Sequence, residues 1–97
     1  MDMSQADRRA RLDRLANALR LMQPLPRSAR TSGLSSDIWI APGGARYVYL
    51  GENEASAGII AFEPSNLGDE RLVLLKDFSI LSLTTRDIEK RLAEALR

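Results

Sequence analysis

The chain has 97 residues, 44% of them hydrophobic and 28% charged, which bounds it to one small folded domain and argues against wholesale disorder. It contains no cysteine and no histidine, so disulfide frameworks, thiol or imidazole nucleophiles, Cys/His zinc sites and histidine pH switches are all excluded. Fourteen basic and thirteen acidic residues leave a formal charge of +1, low for a protein that lives on phosphate contacts.

Ser4 followed by Asp7 resembles a helix-capping pair. Leu12, Leu15, Leu19 and Met22 then recur at helical spacing, which predicts a helix over Gln5–Met22 stopped by Pro24 and Pro26. The stretch 23–36 is rich in Pro, Ser and Arg, lacks periodicity, and reads as a loop or mobile linker. Four strand-like segments come next: Asp37–Ala41, Arg46–Leu50, Gly58–Glu63 and Arg71–Leu75. Pro42, Gly43 and Gly44 supply the turn chemistry of a hairpin between the first two. Phe78–Leu83 fits an extension of the fourth strand, a short fifth strand, or the lead into a last helix. That helix has the clearest start in the chain. Thr84 is its candidate N-cap, Leu83 and Ile88 occupy the positions of a hydrophobic staple, and Ile88, Leu92, Ala95 and Leu96 form the apolar stripe. The expected fold is α+β: a four-stranded antiparallel sheet, five-stranded if Phe78–Leu83 stands alone, flanked by an N-terminal and a C-terminal helix in the order α-β-β-β-β-α.

The third and fourth predicted strands are apolar on both faces, Ile59 and Ala61 against Ile60 and Phe62 and Leu72 and Leu74 against Val73 and Leu75, which calls for burial on both sides. Two helices cover both faces only from opposite sides. If both lie on one side, the other face needs a partner, most simply a second copy of the chain. Pairing Ile40 with Arg46 across the hairpin puts Trp39, Tyr47 and Tyr49 on one face, and Ile38, Ile40, Val48 and Leu50 on the other.

No nucleophile–base constellation, phosphate-binding loop, cofactor fingerprint or metal motif is present. Glu52/Glu54 and Asp69/Glu70 are the only close acid pairs, and the spacing of the first matches no calcium loop. No apolar run approaches the length of a membrane span, and the N-terminal segment is polar, so the expectation is a cytoplasmic protein without membrane contact. Charge is uneven. Residues 1–30 hold seven arginines against three aspartates, whereas residues 31–97 hold seven cations against ten carboxylates.

Function is therefore expected to be contact rather than catalysis: a small binding module acting on another protein as an adaptor, regulator or inhibitor. Trp39, Tyr47 and Tyr49 are its candidate anchors, and Glu52, Glu54, Asp69 and Glu70 steer a basic partner. The alternative is nucleic-acid binding through Arg9, Arg11 and Arg14 of the first helix and Arg27 and Arg30 of the loop. The first three arginines spread around the helix instead of sharing one face. The profile is similar to that of small cytoplasmic proteins of mobile elements. Leu83–Leu96 resembles the first helix of a helix-turn-helix, but only Arg97 follows it, so a core helix is expected.

Overall fold

The computed structural model describes residues 5–22, 24–28, 30–51 and 58–95. In chain order it has helix α1 (Gln5–Arg20), a 3-10 turn (Ser36–Trp39) and strands β1 (Val48–Tyr49) and β2 (Ile59–Phe62). A second 3-10 turn (Ser65–Leu67), strands β3 (Glu70–Leu75) and β4 (Ile80–Thr84), and helix α2 (Thr85–Ala95) follow. The strands form one antiparallel sheet in the order β1-β2-β3-β4, so the α+β fold and the element order are those expected.

Leu12, Leu15, Ala16 and Leu19 of α1 are fully buried. The helix ends two residues earlier than its apolar pattern. The Met22 N–H reaches back to the Leu19 carbonyl at 2.9 Å, a tightened last turn, and Pro24 forbids continuation. At the other helix the Thr84 hydroxyl accepts the Asp87 N–H at 3.2 Å, and Leu83 and Ile88 join one apolar cluster, so cap and staple both form. Ser4 and Leu96 lie outside the described residues.

The expected first strand is not one. Ser36–Trp39 winds into a 3-10 turn, with the Ile38 N–H on Ser35 O and the Ile40 N–H on Asp37 O, both 3.2 Å. Ser35, Ser36 and Asp37 favour turns, and their preference outweighs the β-formers Ile38 and Trp39. Only Ile40 pairs across to Arg46, as an isolated bridge at the expected position. The count of four strands stands because Ile80–Thr84 forms a strand of its own, paired with β3 from Glu70↔Thr84 to Leu74↔Ile80.

The two helices cover opposite faces. On the α1 face, Leu12, Leu15, Ala16 and Leu19 pack with Ile60, Ala61, Leu72 and Leu74. On the α2 face, Ile88 packs with Ile59, Phe62 and Val73, and Leu75, Leu83 and Leu92 flank them. The sheet faces therefore do not call for a second copy. Strict alternation would put Ile60 and Ala61 on different sides; both lie under α1. The cause is a bulge. Between Ile59↔Leu75 and Ala61↔Leu74, β2 advances two residues while β3 advances one, and Ile60 is the extra residue. Its carbonyl accepts N–H bonds from both Leu50 (2.7 Å) and Gly51 (3.2 Å).

The β3–β4 turn holds a non-glycine residue in the left-handed region, Phe78 at φ 67°. Local bonds support it: Phe78 N–H to Leu75 O at 2.8 Å and Leu75 N–H to Ser79 O at 2.9 Å. The ring packs on the α1-side core with the Arg20 guanidinium 5.2 Å from its centroid, which ties the turn to the end of α1. Asp77 accepts from the Ser79 N–H (2.9 Å) and hydroxyl (2.5 Å), and these bonds hold its carboxyl below the usual range.

One ionic contact lies in the core. Glu63, 0% exposed, takes Arg8 Nε at 3.0 Å and Arg8 Nη2 at 2.5 Å on its two carboxylate oxygens. The second oxygen also accepts the Leu72 N–H at 2.7 Å, and Arg8 Nη2 donates to Glu70 O at 2.8 Å. The bond to Glu63 raises the Arg8 pKa further, so the guanidinium is charged throughout. Removing one partner strands the other in a dry environment. Glu63→Ala and Arg8→Ala are each expected to cost about 3–5 kcal/mol. Arg8→Met with Glu63→Leu is expected to recover most of that loss, as measured by urea unfolding.

Candidate functional site

Tyr47 and Tyr49 bracket β1's start, and the 3-10 turn brings Trp39 against them. The Tyr47 N–H bonds Trp39 O at 2.9 Å, and the Trp39 and Tyr49 rings meet edge to face with centroids 4.8 Å apart. The three aromatics share a face, as the sequence predicts, but that face is under α1. Trp39 is 3% exposed and Tyr47 5%, both inside the α1-side core, with Tyr49 packed on its edge. As surface anchors they are corrected to core residues. Leu12, Leu15 and Leu19 need an apolar floor, and the aromatics extend the one that Ile60, Leu72 and Leu74 supply.

The Tyr49 hydroxyl donates to Pro26 O at 2.5 Å, which pins the 24–35 loop to the sheet. Gly51 sits beside that bond at φ 63°. A Cβ there would meet the Tyr49 Oη at 3.2 Å and Pro26 O at 3.3 Å, so glycine is required for the approach. Leu25 and Leu34 pack on the core from the same loop, and Ser28 and Thr31 hydrogen-bond each other. Leu25, Pro26 and Leu34 thus tie the described part of the loop to the body of the fold.

Pinning the loop brings Arg30 next to Arg46. With Leu34, Ser36 and Trp39 they line a recess of about 180 Å³. The volume is that of about six waters, enough for one side chain or one phosphate and well below a drug-sized site. Among the described residues neither guanidinium has an ion pair; the only salt bridge is Arg8–Glu63. Trp39 Nε1 is buried and has no hydrogen-bond partner among them. Arg11 is close by, donating to Ile40 O at 3.2 Å beside the Ile40–Arg46 bridge. A second recess, about 350 Å³, is lined by Asp7, Ala10, Arg11 and Pro42; its opposite charges give it no net preference for either sign.

The other expected residues divide. Arg9, Arg11, Arg14, Arg27 and Arg30 are all exposed. Of these, only Arg30 lines the cationic recess. Asp69 and Glu70 are exposed at the start of β3, away from the aromatics, and their carbonyls bond Thr85 and Arg8. Glu52 and Glu54 lie outside the described residues. Sequence reasoning missed Arg46, which carries no signal beyond its place after the Gly43–Gly44 turn. It also missed the burial of Arg8 and Glu63. Arg8 lies four residues before Leu12 on the apolar stripe, and Glu63 directly follows a buried strand; a charge continuing an apolar pattern was the available clue.

Comparison with known proteins finds no matching family model, no similar curated protein and no similar solved structure. Among the described residues, no helix is long and apolar enough to cross a membrane, and no three His, Cys, Asp or Glu residues cluster as metal ligands.

Burial pushes the Tyr47 hydroxyl up to about 12; the Glu63 charge adds to the shift and Arg11 opposes it. The folded pKa thus exceeds the unfolded value of about 10, so the protonated phenol favours the fold. Its contribution is intact below pH 10 and lost as pH rises to 12. Tyr47→Phe is expected to keep stability at pH 7 within about 1 kcal/mol, because the hydroxyl it removes has no hydrogen-bond partner among the described residues. It should also flatten the loss between pH 10 and 12, read from urea midpoints across that range.

Proposed function

We propose that the chain is a non-enzymatic binding module that acts through protein–protein contact, as an adaptor, regulator or small inhibitor. The Arg30–Arg46 recess is its point of attachment, and the complementary group is an acidic side chain of the partner. The supporting observation is the recess itself: two guanidiniums without carboxylate partners among the described residues, at a pocket the size of one side chain that Trp39 also lines. The polarity is the reverse of that expected from the acidic loops. The wider surroundings agree, since residues 5–51 carry eight arginines against three aspartates, and of these only Arg8 is consumed in a buried pair. Arginine suits this work because its planar fork meets a carboxylate with two hydrogen bonds.

Nucleic-acid binding is the second reading, favoured by the exposure of Arg11, Arg27 and Arg30 around the same loop. It loses its stacking platform, because Trp39 and Tyr47 have no free ring face for a base. It is left with phosphate contacts alone.

Arg30→Glu with Arg46→Glu changes two exposed side chains and is expected to leave unfolding stability within about 0.5 kcal/mol per site. In paired affinity captures from the native host, quantified by mass spectrometry, the double variant should lose the acidic protein that the wild type retains. Equal recovery by both would refute the assignment. Nuclease-sensitive recovery that collapses between low and moderate salt would favour the nucleic-acid reading.

A further inference from the structure

The sheet faces are covered, but among the described residues nothing covers the β4 edge. We propose that two copies of the chain join β4 to β4, antiparallel, about a two-fold axis at Ser82, giving a continuous eight-stranded sheet. This goes beyond the recess and does not depend on it.

β4 is an edge strand by the order β1-β2-β3-β4. Leu75 N–H bonds Ser79 O, so the main-chain groups of Ser79 face β3. Counting along the register in steps of two, Leu81 opposite Val73 and Leu83 opposite Arg71 also face β3. Ile80, Ser82 and Thr84 therefore point their N–H and C=O groups away from the sheet. Natural edges are normally protected by charge, proline, a bulge or great shortness. Residues 79–84 (SILSLT) carry no charge and no proline, β4 pairs over five residues, and the bulge lies on β2. Nor does α2 cover this edge. Ile88 sits over Ile59, Phe62 and Val73, inward of β4, and leaves Leu81 38% exposed on the same face.

The occupant follows from symmetry. In a two-fold antiparallel pair the central residue faces itself, and bonds form wherever two outward-pointing residues oppose each other. A centre on Leu81 also makes four bonds, between Ile80 and Ser82 of the two copies, but it sets Leu83 against Ser79 and brings only one leucine pair together; a centre on Leu83 keeps only the two bonds from Thr84 N–H to Ser82 O. A centre on Ile80 or Thr84 uses only part of the outward set. Ser82, the middle of the three, places Ser82 against Ser82 and Ile80 against Thr84 of the second copy. The carbonyl of Thr84, as N-cap, serves the first turn of α2, so the seam has four bonds. Ser82 N–H donates to Ser82 O in both directions, and Thr84 N–H to Ile80 O in both directions. The same register sets Leu81 beside Leu83 of the second copy, twice. The four leucines then fill the strip between the two α2 helices, and the exposed part of Leu81 is buried.

The chain lacks cysteine, so a single introduced thiol reports the seam directly. Hydrogen-bonded antiparallel partners have Cα atoms about 5.5 Å apart, inside the roughly 4.4–6.8 Å range of disulfides. Under mild oxidation Ser82→Cys is expected to form a covalent dimer at least ten-fold faster than Ser79→Cys, whose two copies would be about 20 Å apart at 3.4 Å per residue. Light scattering of the unmodified chain should give twice the monomer mass. Ser82→Pro removes an outward N–H only, a position where an edge tolerates proline, and should give the monomer. If Ser82→Pro loses its circular dichroism signal, Leu81→Lys at the exposed seam should give the same monomer. A single-chain mass at every concentration overturns the proposal, as does a dimer in which Ser82→Cys links no faster than Ser79→Cys.

Discussion

A single buried carboxylate organises both halves of the molecule. Glu63 follows β2 directly, and its side chain takes Arg8 from α1 and the main chain of Leu72 from β3. Its own carbonyl accepts Arg71 Nε at 2.8 Å. Arg71 sits on the other face, its guanidinium 4.9 Å from the Phe62 ring centroid and its Nη1 3.5 Å from the hydroxyl of Thr85, the first residue of α2. A polar thread thus passes through the sheet from one helix to the other. Buried charge is a poor source of net stability, because desolvation offsets most of the attraction. Its value here is geometric: apolar packing alone would allow α1 to slide along Leu72 and Leu74, and a two-pronged contact at Arg8 fixes its depth and rotation.

The recess inherits its shape from that placement. With α1 fixed, Leu12–Leu19 demand a broad apolar partner, and the turn at Ser36–Trp39 delivers the indole. The phenol of Tyr49, edge-on to Trp39, then catches the backbone at Pro26 and draws the loop across. Arg30 and Arg46 are left at the rim without carboxylate partners among the described residues, while Arg8 in the core is paired with Glu63. One chain thereby sorts its arginines into structural and available ones by position alone. The recess borders Trp39 and Arg46 at the β1 end of the sheet, and the bare edge is at the β4 end, so the two surfaces do not compete.

The helices, the Pro42–Gly44 turn, the Thr84 cap and the two-sided burial of β3 were legible because each rests on a local pattern: spacing, a left-handed position, or a side-chain acceptor three residues from a donor. The segment 36–40 was not, because Ile38, Trp39 and Ile40 favour a strand while Ser35, Ser36 and Asp37 favour a turn, and spacing alone does not say which preference wins. The aromatics were placed together correctly yet on the wrong side of the boundary between surface and interior. Which face receives α1 is a tertiary fact that no alternation rule contains. Arg46 and Arg30 are sixteen residues apart in a chain whose intervening loop has no period, so their meeting had no sequence signature.

The extra residue in β2 has a consequence for how this chain tolerates change. Because Ile60 and Ala61 both turn toward α1, Ile59 and Phe62 fall on the α2 side although they are an odd number of steps apart. The strand is in effect spliced from two half-strands of opposite phase. Loss of Ile60 would turn the splice into a regular ladder, with Ile59, Ala61 and Phe62 still opposite Leu75, Leu74 and Val73 and each side chain still in its own layer. A single deletion, which in a regular buried strand flips every side chain beyond it, should here keep both layers in place and cost one core side chain.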